Sequence, residues 1–302
     1  MGPRSLLRPP QPYARAGHLT PVRTLTRFAF TGLFLLSLTA TASADPVTAV
    51  RLYALDCGRA DFKDMGFFAD TGEYDGKPGS VADGCFVIQH PKGILLWDTG
   101  LGDQLAATKG GVDAAPGIHL TVETTLASQL EAIGIKPADV TYVAFSHFHF
   151  DHTGNANAFA SSTWILNKAE VAWGTSTPTP GAVAPDTWSG YKTAKTQMID
   201  GDLDVFGDGT VRILKAPGHT PGHQVLLLKL KKSGAVLLSG DLYHTRDNRK
   251  FSRVPLINTE RADTMASMAR IEKIIANTKA RLVIQHEALD LKALPKFPAF
   301  LE

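Results

Sequence analysis

Cysteine is nearly absent from this chain of 302 residues; there are two, Cys57 and Cys85. Neither stands at ligand spacing from a histidine, so a thiolate metal site is excluded. No G-x-S-x-G elbow occurs, which argues against an acyl-serine route. There is no stripe of basic residues to neutralise phosphates, and so no sign of a nucleic-acid substrate. The cluster Lys229, Lys231 and Lys232 before Ser233-Gly234 reads as a solvated hairpin turn. No twin-arginine pair is present, and the one apolar run is too short for a comfortable membrane span.

The first 44 residues contain no acidic side chain. They carry Arg4, Arg8, Arg15, Arg23 and Arg27, then the apolar run 28–38, and they close on Ala42-Ser43-Ala44. This layout predicts a signal peptide over 1–44, cut before Asp45, and a periplasmic or secreted mature protein with no stable membrane anchor. An uncleaved anchor is the competing reading. The whole chain has 31 basic and 29 acidic residues, net +2; without the five leader arginines the balance becomes net −3. A hydrophobic content of 44% is enough for one substantial core, so residues 45–302 are expected to form a single domain.

The densest chemistry lies in Ser146-His147-Phe148-His149-Phe150-Asp151-His152, an H-x-H-x-D-H pattern. Neutral imidazoles and an ionised carboxylate suit a borderline divalent ion such as zinc. Four donors this close in sequence cannot all wrap one tetrahedral ion, but they can serve two neighbouring ions, a hydrolytic device with metals about 3.5–4 Å apart. The preceding segment 140–145 reads as a buried strand, which puts the motif on the loop at its carboxyl end.

Further donors are expected after later strands. His219 lies in Ala216-Pro217-Gly218-His219-Thr220-Pro221-Gly222-His223, Asp241 ends Leu237-Leu238-Ser239-Gly240-Asp241, and His286 ends Leu282-Val283-Ile284-Gln285-His286. His223 competes with His219. The Pro-Gly pairs hold His219 in a turn, whereas His223 opens the strand expected over 224–230, so His219 is preferred.

The ordered set His147, His149, Asp151, His152, His219, Asp241 and His286 resembles that of the metallo-β-lactamase-fold hydrolases, over nearly the whole mature chain. Leu96-Trp97-Asp98-Thr99-Gly100 is similar to that family's early strand ending in D-T-G. The resemblance implies an αββα sandwich of two mixed β-sheets flanked by helices, an α/β fold. It implies two zinc ions per chain: His147, His149 and His219 on one, Asp151, His152 and His286 on the other, and Asp241 bridging. Asp98 would steady a ligand histidine by a hydrogen bond. Within the family, the bridging aspartate disfavours the antibiotic-cleaving branch. The flanking segments 51–58, 146–165 and 239–244 most resemble secreted N-acyl homoserine lactone lactonases; phosphotriesters, aryl esters and β-lactams remain the alternative substrates.

The implied reaction is attack of a metal-bridging hydroxide on the carbonyl of a small acyl lactone, with Asp151 passing a proton to the leaving alkoxide. Many lactonases of this fold carry a tyrosine three positions after the bridging aspartate. Here that position is His244, and the tyrosine is Tyr243. His244 is the preferred hydrogen-bond donor to the developing oxyanion, with Tyr243 turned into the core; the reverse assignment is the alternative. Phe62, Met65, Phe67 and Phe68 are expected to pack beneath a loop, with a role in lining the acyl site as the second reading.

Strands are predicted over 47–55, 86–89, 94–97, 140–145, 163–166, 211–214, 224–230, 235–238 and 282–284. Helices are predicted over 122–132, 168–173 and 263–276. Residues 175–185 read as a surface loop, and the aspartates within 201–209 as solvated turns without calcium-loop spacing. Cys57 and Cys85 fall near the ends of neighbouring predicted strands; an exported compartment permits them to pair, and the sequence leaves the pairing open.

Overall fold

The computed structural model describes residues 47–302. The signal peptide expected over 1–44 and its cleavage before Asp45 lie outside the described residues. The strands are β1 (Arg51–Phe62), β2 (Gly79–His90), β3 (Gly93–Trp97), β4 (Val112–Ala115), β5 (Ile118–Thr121), β6 (Tyr142–Ala144), β7 (Thr163–Asn167), β8 (Lys195–Ile199), β9 (Leu203–Asp204), β10 (Val211–Lys215), β11 (Gln224–Leu230), β12 (Gly234–Leu238) and β13 (Arg281–Val283). The helices are α1 (Leu126–Ala132), α2 (Phe150–Thr153), α3 (Lys168–Gly174), α4 (Arg246–Phe251), α5 (Arg261–Thr278) and α6 (Ala288–Lys292).

Two mixed sheets result, ordered β4-β5-β1-β2-β3-β6-β7-β8 and β13-β12-β11-β10-β9. Side-chain alternation shows how they pack. Phe86 and Ile88 of β2, with Leu95 and Trp97 of β3, meet Leu226 and Leu228 of β11 and Val236 and Leu238 of β12 in one buried cluster between the sheets. The residues interleaved with them face outward. Val87, Leu96 and Val143 pack on Leu126 and Leu130 of α1, while Leu227 and Leu237 pack on Met268 and Ile271 of α5. The expected αββα sandwich is what forms. Both faces of the central strands are covered, which is why their inner stretches, such as 86–88, 94–97 and 225–228, are continuous apolar runs.

Every predicted strand is present, and the departures have local causes. The strand predicted to stop at residue 55 runs on to Phe62, because a bulge absorbs Cys57: Asp56 pairs with Gly84 and Gly58 with Asp83. The extra residue lets the ladder continue beyond Asp56 to Phe62. It also sets Cys57 against Cys85, and the two form a disulfide with Cα atoms 5.8 Å apart. The helix predicted from residue 122 starts at Leu126, where Thr125 caps it by accepting the Ser128 amide and Asp103 accepts the Leu126 and Ala127 amides. β4, β5, β8 and β9 were not legible, nor were α4 and α6. β8 is an edge strand with four exposed residues and one buried, so it has no apolar period to read.

Candidate metal centre

The predicted donors come together at one edge of the sandwich. Each follows a strand: the H-x-H-x-D-H loop follows β6, His219 lies between β10 and β11, Asp241 follows β12, and His286 follows β13. The parallel pairings β3–β6 and β12–β13 run these carboxyl ends to the same side, where open α/β sheets place their chemistry.

Three imidazoles converge first. His147 Nε2 is 2.8 Å from His149 Nδ1. His219 Nε2 is 3.2 Å from His147 Nε2 and 3.1 Å from His149 Nδ1. The Asp241 Oδ2 atom closes the group, 3.3 Å from His219 Nε2 and 3.6 Å from His147 Nε2. Donors around a tetrahedral zinc with bonds of about 2.0–2.1 Å would stand about 3.4 Å apart, so the spacing fits a cation at the centre. Burial pushes His149 and His219 down to about 3, and it also lowers His147. All three therefore stay neutral and present lone pairs.

The other oxygen of Asp241 faces a second group. Oδ1 lies 3.2 Å from His152 Nε2 and 3.0 Å from His286 Nε2, and Asp151 approaches the same two rings at 3.8 and 3.7 Å. His152 Nε2 and Asp241 Oδ1 are buried without a hydrogen-bond partner. Orphaned polar atoms this deep are costly unless something binds them, and a cation satisfies both. Burial opposes charge on these rings, but Asp241 and Asp151 override it. His286 is raised to about 9, and His152 is raised too, with Asp98 contributing. The donor sets His147, His149, His219, Asp241 and Asp151, His152, His286 are both able to hold metal ions, and Asp241 reaches from one to the other.

A surrounding shell fixes these rings. Asp98, fully buried, accepts the Ser146 amide at 2.6 Å and the Gln285 side-chain amide at 2.7 Å, and it meets His152 Nδ1 at 3.0 Å. The proton on Nδ1 leaves His152 Nε2 free to act as a donor atom. His286 Nδ1 is held by the Ala82 carbonyl at 2.7 Å. His223 is not among the donors. Its Nδ1 gives a proton to the Ala216 carbonyl at 2.9 Å, and its Nε2 accepts the Asp241 amide at 2.9 Å.

Glu170, at the start of α3, escaped the sequence reading. Its carboxylate accepts the Phe148 amide at 2.8 Å, the Thr220 hydroxyl at 2.7 Å and the Gly222 amide at 2.9 Å. It therefore clasps the H-x-H-x-D-H loop to the His219 loop. Burial pushes it up to about 7. Gly222 is required there, since a Cβ would sit 2.4 Å from the Glu170 nitrogen. The only sequence signal was an acid in the first turn after an Asn cap, a pattern that ordinary surface helix starts share.

His244 and Tyr243 part ways. Tyr243 packs on α5 in the outer core and donates to Glu272 at 3.0 Å; the alternative catalytic assignment to Tyr243 is corrected, because its hydroxyl points away from the donors. His244 faces them, with Nε2 3.0 Å from Asp241 Oδ2. A cavity of about 150 Å³ opens on this point, lined by Asp151, Asp241, His244 and His286 together with Phe62, Phe67, Phe68 and Ile118. Three of the four residues expected chiefly to pack under a loop thus also line the cavity; Met65 alone only packs. A larger groove of 770 Å³, between Asp56, Gln129 and Phe297, is lined by none of the donors.

Residues 84–286 match the family model described as the metallo-beta-lactamase superfamily. The N-acyl homoserine lactonase AttM of Azorhizobium caulinodans is 29% identical over 273 residues, covering 85% of this chain and 100% of the relative. An N-acyl homoserine lactonase of Bacillus cereus is 30% identical over 224 residues, covering 72% of this chain and 86% of its own length. A solved N-acyl homoserine lactone hydrolase, with the product N-hexanoyl-L-homoserine at its catalytic metal center, superposes with a TM-score of 0.72 at 25% identity. That match covers 84% of this chain and 100% of the solved one.

Proposed function

The chain belongs to the metallo-beta-lactamase superfamily, and from that premise we propose that it is a dinuclear zinc lactonase opening the ring of N-acyl homoserine lactones. One observation carries the reading. Asp241 and Asp151, the two carboxylates of the donor sets, share a small cavity with Phe62, Phe67, Phe68 and Ile118. A polar, hydrolysable ring with an apolar tail matches that mixed lining. The end-to-end likeness to lactonases supports the substrate class.

Two zinc ions held by His147, His149 and His219 and by Asp151, His152 and His286, with Asp241 common to both, would supply an acidified water and polarisation of the carbonyl. The residues divide the remaining work by burial. The Asp241 side chain is 3% exposed and that of Asp151 is 22% exposed. Asp151 is therefore the carboxylate a substrate can reach, and it is placed to take the proton given up by the attacking water and return it to the ring oxygen as the C–O bond breaks. Asp98 holds the His152 ring and Glu170 the two loops that carry His147, His149 and His219, and the phenylalanines exclude water from the acyl side. The reading includes export to the periplasm or beyond, which the Cys57–Cys85 disulfide supports because such bonds persist in oxidising compartments.

The test is product analysis with the purified, metal-loaded chain from Asp45 onward and N-hexanoyl homoserine lactone. The expected product is the acyl homoserine acid, which recloses at low pH. Release of free homoserine lactone, or turnover confined to phosphotriesters, aryl esters or β-lactams, would overturn the reading.

A further inference from the structure

We infer that His244 is an additional protein donor to the metal centre, beside Asp241, rather than only a hydrogen-bond donor to substrate. The inference rests on the metal-binding part of the proposed function and not on its substrate.

Three observations converge. The first is isolation: His244 is 1% exposed, and neither ring nitrogen has a hydrogen-bond partner. A buried imidazole with both nitrogens unmet is expensive, so something has to take its lone pair. The second is position. Asp241, His244 and His286 can each bring one donor atom within 4.8 Å of the others. The His244 and His286 rings lie nearly parallel, 10° apart with centroids at 5.5 Å, and both Nε2 atoms are 3.0 Å from an oxygen of Asp241.

The third observation is the character of the short contact. His244 Nε2 stands 3.0 Å from Asp241 Oδ2, yet a proton on that nitrogen would not point at the oxygen, since the atom remains without a hydrogen-bond partner. The same signature marks His152 Nε2 and Asp241 Oδ1, 3.2 Å apart and also unmet, and His152 belongs to the donor set it forms with Asp151 and His286. Two atoms that approach closely but do not face each other are aimed at a third point.

The experiment begins with fully loaded protein and measures metal retention against a graded chelator, with the visible absorption of the cobalt-loaded form as a second readout. His244→Ala and His244→Asn should each lose one of the two ions at least about tenfold more readily than the parent, and the cobalt spectrum should intensify as a ligand is lost. The asparagine variant is the discriminating one, because it keeps a hydrogen-bond donor while offering a poor ligand. If both variants hold their metal with parental affinity and an unchanged spectrum, the inference fails, whether or not lactone turnover falls. Should the variants unfold, the parent itself decides. Proton NMR of the cobalt form should show one more hyperfine-shifted exchangeable imidazole N–H than the five from His147, His149, His152, His219 and His286, and a count of five overturns the inference. None of these readouts depends on lactone being the substrate.

Discussion

The backbone amide of Asp241 donates a 2.9 Å hydrogen bond to Nε2 of His223. With Nδ1 given to the Ala216 carbonyl, both nitrogens of His223 are in use, and burial pushes the ring down to about 4, so it stays neutral. Gly240 makes the approach possible: its φ is +48° and a Cβ would stand 2.7 Å from His223 Nε2. His223 therefore holds the carboxylate shared by both donor sets without joining either. His223→Ala is expected to weaken metal retention about tenfold, measured by chelator competition. Unchanged retention would mean that Asp241 is positioned by other contacts.

The donor sets themselves predict two ions per chain. Metal analysis of the loaded protein should return two; His149→Ala should remove the ion of the first set and leave the second, and Asp241→Asn should disturb both, because its two oxygens face different sets. One ion in the fully loaded parent counts against the dinuclear reading.

Glu170 should behave as a clasp and not as a ligand. Glu170→Gln puts an amide NH2 against donors, stranding at least one of the three groups the carboxylate now accepts from. A stability loss of about 1–3 kcal/mol is expected, read by denaturant unfolding. The retention of the His147–His149–His219 ion should suffer more than that of the other ion. Equal losses at both sets would remove the clasp from the account.

Stability of the metal-free protein should fall as pH rises from near neutral. His286 is raised to about 9 against an unfolded value near 6.5, with Asp241 and Asp151 outweighing burial, and His152 is raised as well. The folded state thus binds more protons than the unfolded one in that window. The contribution is fully present below about 6.5 and is lost as pH passes through about 9. Bound cations take the place of those protons, so the loaded protein should lack this dependence. Thermal unfolding of both forms across the window checks it, and parallel profiles would refute it.

The disulfide closes a sequence separation of 28 residues, for which loop entropy gives about 3–4 kcal/mol of stabilisation. The Cys57→Ala/Cys85→Ala double variant should lose about that much in chemical denaturation. N-terminal sequencing of the exported protein should begin at or near Asp45; a cytosolic, uncleaved product would contradict the export reading.

Much of this protein was written locally. The central strands announce themselves through apolar stretches such as 86–88, 94–97, 225–228 and 235–238, covered on both faces, and the H-x-H-x-D-H loop could be named from six residues because metal donors are a small chemical alphabet. The preference for His219 over His223 was also legible, since a turn frees a side chain that a strand start does not. Strands such as β8, an exposed edge, carry no such pattern, and their place in the sheet comes from a neighbour supplying the hydrogen bonds.

What the chain alone determined, then, was which atoms are available: imidazoles and carboxylates at strand ends, and apolar runs to bury. Tertiary structure decided where they point. It was the bulge at Cys57 that turned two separate cysteines into a disulfide, and packing on α5 that sent Tyr243 to Glu272 while His244 met Asp241. Glu170 became a clasp only when two loops separated by some 70 residues closed over it. The physical reason is the same in each case. Donor identity is a property of one residue, whereas direction and burial arise from contacts between segments far apart in sequence, and those exist only after the sheets have packed.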